Sequence, residues 1–257
     1  MIAVGVTGAT GRMGQAVIET AADREDVRVA FAVNRGADPD ADAVAGVPVH
    51  PASDLSSLLS DHEPDALVDF TGPESALDYA SACADADVAF VTGTTGFENG
   101  DFSMLQEVGT SIPVLHAANF ARGVQALLRT VREAVATLPG YDVELTETHH
   151  NAKRDAPSGT ARTILAEVAA QREFAEVYGR EGVQPREDGE VGVHVRRAGD
   201  VRGEHEVMLA GNDEVVTLTH RAESRGVFAA GALDSAVWLA GREAGYYSFG
   251  DVIGDSS

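Results

Sequence analysis

Up to Phe120 the chain repeats one pattern: a short apolar run, a glycine- or threonine-rich turn, then apolar residues at helical spacing. Residues 2–6 form the first apolar run, residues 15–22 read as a helix, and residues 27–33 read as a second strand. Residues 66–70, 88–92 and 112–116 are further buried strands, with a helix over 74–84. Residues 39–57 are acidic and alanine-rich and read as a loop plus a short helix. Strands alternating with helices predict a parallel sheet with right-handed crossovers.

Beyond Ala121 the pattern changes. Residues 124–138 form a long helix, with Val124, Leu127, Leu128, Val131 and Val135 on one face. Residues 141–148 are a strand, and a helix runs from Ser158 to about Arg172. Residues 191–195, 204–209 and 214–220 alternate apolar and polar, as half-buried antiparallel strands do. A last helix covers 231–240, and Phe249-Gly250-Asp251-Val252 is a tail expected to pack back on the first domain. The expected fold is therefore α/β. A Rossmann-like parallel sheet spans residues 1–120 and is completed by 225–257. A second α+β domain, 121–224, carries a mixed, largely antiparallel sheet.

The first turn gives this pattern chemical meaning. Gly8-Ala9-Thr10-Gly11-Arg12-Met13-Gly14 sits between a strand and a helix, the context of a dinucleotide-binding turn. One glycine serves the tight turn, one the approach of a pyrophosphate, and one the packing of helix on strand. The anion sits at the helix N-terminus, where free N–H groups and the helix dipole favour it. Twenty residues after Gly14, where such folds often place an acid on the ribose 2′-hydroxyl, stand Asn34 and Arg35. Without the acid a 2′-phosphate is tolerated and Arg35 can bind it, so NADPH is expected to be accepted, with NADPH or NADH as the cofactor. Ligands bind such sheets at the carboxyl ends of the strands. Phe70-Thr71, Gly93-Thr94-Thr95 and Ala117-Ala118-Asn119-Phe120 should therefore lie at the cofactor edge, with Thr94 and Thr95 as polar contacts beside a nicotinamide.

The densest chemistry is His149-His150-Asn151-Ala152-Lys153-Arg154-Asp155-Ala156-Pro157-Ser158-Gly159-Thr160. Lys153 is the only lysine in the chain; every other basic side chain is arginine. Lysine can give up a proton and arginine effectively cannot. The N–H groups of Gly159 and Thr160, with the Ser158 and Thr160 hydroxyls, form a carboxylate-sized anion site at a helix start. Histidine suits acid–base work near neutrality. A zinc pair and two surface histidines are the other readings of His149-His150. Adjacent histidines on a strand point to opposite sides, and no cysteine or H-x-x-E pattern supports a metal, so none is expected. His50, His62, His194, His205 and His220 are taken as structural or exposed, and His116 has no assigned role.

Composition narrows the classes. The lone Cys83 excludes an internal disulfide. No apolar run reaches the length of a membrane span, and no basic leader precedes the first strand, so a cytoplasmic protein is expected. A net charge of −22 argues against nucleic acid. Acidic charge with a single lysine resembles proteins from salt-loving organisms.

Four segments together resemble the 4-hydroxy-tetrahydrodipicolinate reductase (dihydrodipicolinate reductase) family. They are residues 8–14, 93–97, 117–120 and 147–160; Arg197-Ala198-Gly199-Asp200 and Gly203-Glu204-His205 are similar too. The resemblance implies NADH or NADPH bound by the first three segments. It implies hydride transfer to the C4 side of an unsaturated dicarboxylate ring with loss of the 4-hydroxyl. It makes His149 the acid–base residue and Lys153 the proton donor, with His150, Gly159 and Thr160 holding the dicarboxylate. It also implies a homotetramer built through the second domain's sheet, and domain closure about residues 121–123 and 224–226. Many members carry an acid at the place of Asn34 and a glycine at that of Thr10. Another two-domain dehydrogenase acting on an amino acid or sugar, or a cofactor-sensing protein without catalysis, are the alternatives.

At about 1 M salt the Debye length is about 3 Å, which screens self-repulsion among the acids. The melting temperature is expected to rise between dilute buffer and molar salt. A flat or falling profile in a thermal scan would refute this.

Overall fold

The computed structural model describes residues 1–38 and 42–254. The chain runs β1 (Ile2–Thr7), α1 (Arg12–Ala22), β2 (Val27–Asn34), β3 (Ala43–Val44), β4 (Val47–Pro51), α2 (Leu55–His62), β5 (Ala66–Asp69), α3 (Pro73–Ala86), β6 (Ala89–Thr92), α4 (Asn99–Val108) and β7 (Pro113–His116). Next come α5 (Arg122–Thr137), β8 (Asp142–His149), α6 (Gly159–Ala169), β9 (Ala175–Tyr178), β10 (Glu190–Arg197), β11 (Glu204–Gly211) and β12 (Glu214–Arg221). It ends with α7 (Gly226–Leu239), β13 (Gly245–Tyr247) and α8 (Phe249–Gly254). These elements form two compact units, Met1–Phe120 with the segment from Arg225 on, and Ala121–Ser224.

In the first unit the sheet order is β13-β7-β6-β5-β1-β2-β4-β3. All its pairs are parallel except β3 with β4. Helices cover both faces, so the central strands are buried throughout and read as unbroken apolar runs. One face packs Val4, Val6, Val68, Val91 and Leu115 against Val17 and Ile18 of α1 and Ala232, Leu233 and Ala236 of α7. The other packs Phe31, Leu67, Phe90 and Val114 against Leu55, Leu59, Ala80, Cys83 and Leu105. Cys83 is a buried apolar group here, and burial raises its thiol pKa. Helix α7 starts five residues before the predicted 231–240. It packs against α1 and against three strands, so no single apolar stripe marks its start. Of the loop and short helix expected over 39–57, residues 39–41 lie outside the described residues. The rest becomes β3, β4 and the start of α2. The Phe249 tail is helical, and its ring packs on Phe120 at 5.3 Å.

The carboxyl edge of this sheet is tied together by Asp69, a fully buried carboxylate at the end of β5. Its Oδ1 accepts from the hydroxyls of Thr7 at 2.7 Å and Thr71 at 2.6 Å. Its Oδ2 accepts from Thr92 at 2.8 Å and Thr94 at 2.7 Å. Three strand ends and two of the turns that follow them thus share one anion.

The second unit has a five-stranded sheet of order β12-β11-β8-β10-β9. β11 is antiparallel to β8 and β12, while β10 is parallel to β8 and β9, so the sheet is mixed. α5 packs along α6 and against β12, with the predicted face of Val124, Leu127, Leu128, Val131 and Val135 buried. Register places Leu145 beside Val193 and Val207, and two residues on it places Glu147 beside Val195 and His205. His149 then pairs with Arg197. The buried face therefore turns from apolar to polar along β8. The opposite face carries Thr146, Thr148, His194 and Met208, none of them buried. Among the described residues no helix is long and apolar enough to cross a membrane.

Asp69→Ala strips the acceptor from the buried hydroxyls of Thr7, Thr92 and Thr94. It is expected to cost about 3 kcal/mol or more of unfolding free energy, read as a lower denaturant midpoint. A loss under about 1 kcal/mol would show that the edge does not depend on this carboxylate.

Candidate active site

In the first unit the glycine turn has the shape its spacing predicts. Gly8 has φ of +61°, in the left-handed region. A Cβ on Gly14 would stand 2.2 Å from the Gly8 carbonyl oxygen, so only glycine lets helix α1 lie this close to the turn. Gly11 is the N-cap of α1 and offers no side-chain cap. The first N–H groups of the helix are thus left for an anion. Thr10, Gly11 and Arg12 are exposed and Met13 is half-buried. Asn34 is half-buried at the end of β2, and Arg35 is exposed with its Nη2 3.3 Å from Ser75 Oγ.

Several cofactor-side expectations need correcting at the level of atoms. The Ala9 side chain is buried and its N–H donates to the Val33 carbonyl, so Ala9 shapes the turn rather than presenting a donor. The Thr94 hydroxyl is buried on Asp69, and the Thr71 hydroxyl is bound there too. Both side chains hold the edge, and the Thr94 N–H is itself spent on Thr92 Oγ1 at 3.1 Å. Phe120 is a core residue, its ring 5.7 Å from Phe70 and 5.3 Å from Phe249. Ala117 is buried and its N–H donates to the Thr92 carbonyl. Thr95 and Ala118 are exposed, while Gly93 and Asn119 are half-buried.

In the second unit the strand β8 delivers Glu147 and His149 to the same side, because side chains two apart on a strand share a face. Glu147 is fully buried. Its Oε1 accepts from the Ser158 N–H at 3.0 Å and from Arg197 Nη2 at 2.8 Å. Its Oε2 lies 2.7 Å from His149 Nδ1 and 3.9 Å from His205 Nε2. Burial alone would raise the Glu147 pKa. The bonds from His149, Arg197 and Ser158 outweigh it and hold the carboxyl well below its ordinary range.

After His149 the chain turns sharply. The Lys153 N–H donates to the His150 carbonyl, and the Asn151 N–H donates to the Gly199 carbonyl. The turn brings Lys153 back toward the strand end instead of leaving it on an extended face. Its ammonium is 2.8 Å from Asp155 Oδ1. Burial would raise the Asp155 pKa, but the bond and charge of Lys153 lower it overall. His150 and Thr160 are half-buried, and Gly159 is exposed, with nothing within 4 Å of the place a Cβ would take.

Ser158 caps α6, its Oγ accepting from the Ala161 N–H at 3.2 Å. The same Oγ is 3.1 Å from His205 Nε2, and the residue is buried. The expected ligand contact through this hydroxyl is therefore corrected to a capping role. Open ligand access at this helix start lies at Gly159.

Sequence reasoning missed Glu147, Arg197 and His205 as site residues. The signal for Glu147 was its place two residues before His149 on a strand. His205 lies in phase with Val207 and Leu209 of β11, where a buried polar group calls for a partner. It is no exposed bystander: its ring meets that of His149 at 5.2 Å, edge to face. His116 stays outside this cluster, with Nε2 3.2 Å from the Thr94 carbonyl oxygen.

The family model described as "Dihydrodipicolinate reductase, N-terminus" matches residues 2–120, and that for the C-terminus matches residues 123–253. The chain belongs to the dihydrodipicolinate reductase family. It is 56% identical over 254 residues to a 4-hydroxy-tetrahydrodipicolinate reductase of Haloarcula marismortui, covering 98% of this chain and 99% of that protein. It is 53% identical over 251 residues to the enzyme of that name from Natronomonas pharaonis, covering 96% and 98%. Among solved structures, a dipicolinate-bound dihydrodipicolinate reductase from Paenisporosarcina sp. TG-14 superposes with a TM-score of 0.77 at 25% identity, over 96% of this chain and 97% of that one. The boundary between the two matched parts falls at the first crossing between the compact units, after Phe120, while the second part runs on past Ser224 into the segment that returns to the first unit.

In this reductase His205 is held neutral. Burial, then the nearby His149, push its pKa down to about 3. The unfolded chain protonates this residue below about pH 6.5 and the folded chain does not, so its stabilising effect is complete above that pH and is lost as pH falls. From His205 alone, stability is expected to fall by about 1.4 kcal/mol per pH unit between about 6 and 4. Denaturant melts of wild type and His205→Gln check this: the variant should show a shallower acid slope, and equal slopes would contradict it.

Proposed function

We infer that this chain reduces 4-hydroxy-tetrahydrodipicolinate to tetrahydrodipicolinate with NADPH or NADH, a step in lysine and diaminopimelate biosynthesis. The observation that carries the reading is that the turn after β8 places Lys153 between His149 at the strand end and the helix start at Gly159. The relationship to reductases of that name over nearly the full chain supports it.

The first unit fits a dinucleotide. The close approach of Gly14 to Gly8 and the uncapped start of α1 form a cradle that a Cβ would fill. Gly8, Gly11, Arg12 and Met13 would hold the pyrophosphate, Asn34 and Arg35 the adenosine ribose side. The backbones at Phe70-Thr71, Gly93 to Thr95 and Ala117 to Asn119 would line the nicotinamide side. When bound, the reduced cofactor supplies a hydride. Arg35 is a cation with no acid in the ribose position, which favours the 2′-phosphate of NADPH.

In the second unit the Gly159 and Thr160 N–H groups at the start of α6 would hold one substrate carboxylate, with His150 beside it. Lys153 adds positive charge and an exchangeable proton. Its bond to Asp155 keeps the ammonium oriented until a substrate carboxylate competes for it. His149 and Lys153 manage protons: one hydride and one proton are added, and the 4-hydroxyl leaves as water. A positioned acid–base group contributes typically about 10²–10⁴-fold. Thr146, Thr148, His194 and Met208 on the uncovered sheet face favour assembly through that face, as a homotetramer in the cytoplasm.

The test is cofactor oxidation with substrate freshly condensed from pyruvate and aspartate semialdehyde, in molar salt, with both cofactors. NADPH should be used at least as well as NADH, and an NADH preference above about tenfold in kcat/KM would reject the role of Arg35. His149→Ala and Lys153→Ala should each lower kcat more than about 100-fold with cofactor affinity nearly unchanged. Near-normal turnover in both would reject their roles. Light scattering on the same samples should report four chain masses.

A further inference from the structure

Glu147 is never within reach of solvent, yet it is bonded to the parts of the site that act on protons and on anions. Its Oε1 fixes the N-terminal N–H of the α6 cap, at Ser158, and the guanidinium of Arg197. Arg197 in turn donates to the Asp155 carbonyl at 2.7 Å, which braces the loop that carries Lys153. Its other oxygen is the one that matters for chemistry. Oε2 and His149 Nδ1 are both buried, stand 2.7 Å apart, and have no other hydrogen-bond partner. At that separation the pair is not aligned as a hydrogen bond in this structure, and rotation of the ring would align it. Two buried polar atoms with only each other to bond will share a proton, since leaving either unsatisfied costs about 1–3 kcal/mol.

We propose that Glu147 is the positioning residue of the reduction: it keeps His149 Nδ1 protonated, so that Nε2 is the atom that exchanges protons. The inference rests on the reading of His149 as an acid–base residue. Glu147 acts through the ring and touches no substrate. The bond it makes to Ser158 also ties the ring to the helix start that holds the carboxylate, so the two distances are fixed by one side chain. His205 closes the remaining side of the ring as a neutral edge, its Nε2 anchored by Ser158 Oγ.

The charged and titratable groups around His149 come from every neighbouring strand. They are Glu147 from β8, Arg197 from β10, His205 from β11 with His220 of β12 behind it, and Lys153 from the loop. Of these only Glu147 is an anion in direct contact with the ring. A metal ion is the competing use of Glu147, His149 and His205, whose ligand atoms lie within 4.8 Å of one another. The 2.7 Å separation of Oε2 and Nδ1 is that of atoms sharing a proton. Two ligands at about 2.0–2.1 Å from one tetrahedral ion stand farther apart.

The experiment has two parts. Nitrogen-15 correlation spectra of the wild-type chain, with His149 assigned by its loss in His149→Asn, should show the Nδ1–H tautomer at neutral pH. An Nε2–H tautomer overturns the proposal, whether or not Glu147→Gln folds. Glu147→Gln keeps an acceptor for Ser158 but no charge. It should lower kcat by about 10- to 1000-fold while the Kd for pyridine-2,6-dicarboxylate stays within about threefold. Glu147→Asp should restore part of the lost kcat. An unchanged kcat in Glu147→Gln overturns the proposal and leaves the reductase reading intact. Loss of activity on dialysis against a chelator, restored by zinc, overturns it in favour of a metal site. A wild-type chain without reductase activity defeats the functional reading instead, and the tautomer still decides what Glu147 does.

Discussion

A carboxylate sealed from water must be given its hydrogen bonds by the fold, and the second unit is arranged around one such demand. Glu147 accepts from the Ser158 N–H and the Arg197 guanidinium, and the His149 ring nitrogen stands 2.7 Å from its other oxygen. Each donor comes from a different place in the chain: a helix start, the neighbouring parallel strand, and two residues along its own strand. Satisfying the charge therefore fixes where α6 begins, how β10 lies against β8 and which way the histidine faces. The cost of an unpaired buried charge is several kcal/mol, far above the energy that separates one loop conformation from another. The geometry of the proton site is thus set by electrostatics within the core and needs no substrate to form it.

The first unit uses the same device for another purpose. Asp69 gathers four threonine hydroxyls, from the ends of β1 and β6 and from the turns after β5 and β6. Hydroxyls are weaker donors than a guanidinium, and there is no ring to aim. What the carboxylate fixes here is backbone: the turns that carry Phe70-Thr71 and Gly93 to Thr95 leave the sheet at set angles. Threonines that read as ligand contacts are spent on this anchor. The surfaces they leave to a cofactor are peptide groups, which bind a nicotinamide amide or a phosphate as well as side chains do.

The elements with one strong period were legible. The α5 face of Val124, Leu127, Leu128, Val131 and Val135 is buried as the spacing demands, and the glycine turn has the tight bend at Gly8 and the close helix packing at Gly14 that its spacing implied. Elements whose existence depends on tertiary contact were not. β9 and β13 are three or four residues long and pair only because a neighbouring strand is already in place. α4 was left unassigned because it buries a single residue, Leu105, and its start is fixed by a capping box between Glu98 and Asp101. The candidate site divided in the same way. Residues that act by type, such as a lone lysine beside histidines, stood out. Glu147, Arg197 and Asp69 act by where the sheet puts them, and a carboxylate inside a strand looks in sequence like any surface acid.

The lone lysine and the acidic surface are one problem. A chain of net charge −22 repels a dicarboxylate at long range in dilute solution. In molar salt the screening length is about 3 Å, so the acids outside the site no longer matter to an approaching anion and only groups in contact do. On the proposed reading, binding then rests on short-range donors: the helix start at Gly159 and Thr160, His150, and the ammonium of Lys153. An arginine there would satisfy the charge and the hydrogen bonds. It could not release a proton near neutral pH, because guanidinium keeps its proton above about pH 12. A chain that uses arginine everywhere else therefore has its one lysine at the position where the proposed chemistry also asks the cation to serve as an acid.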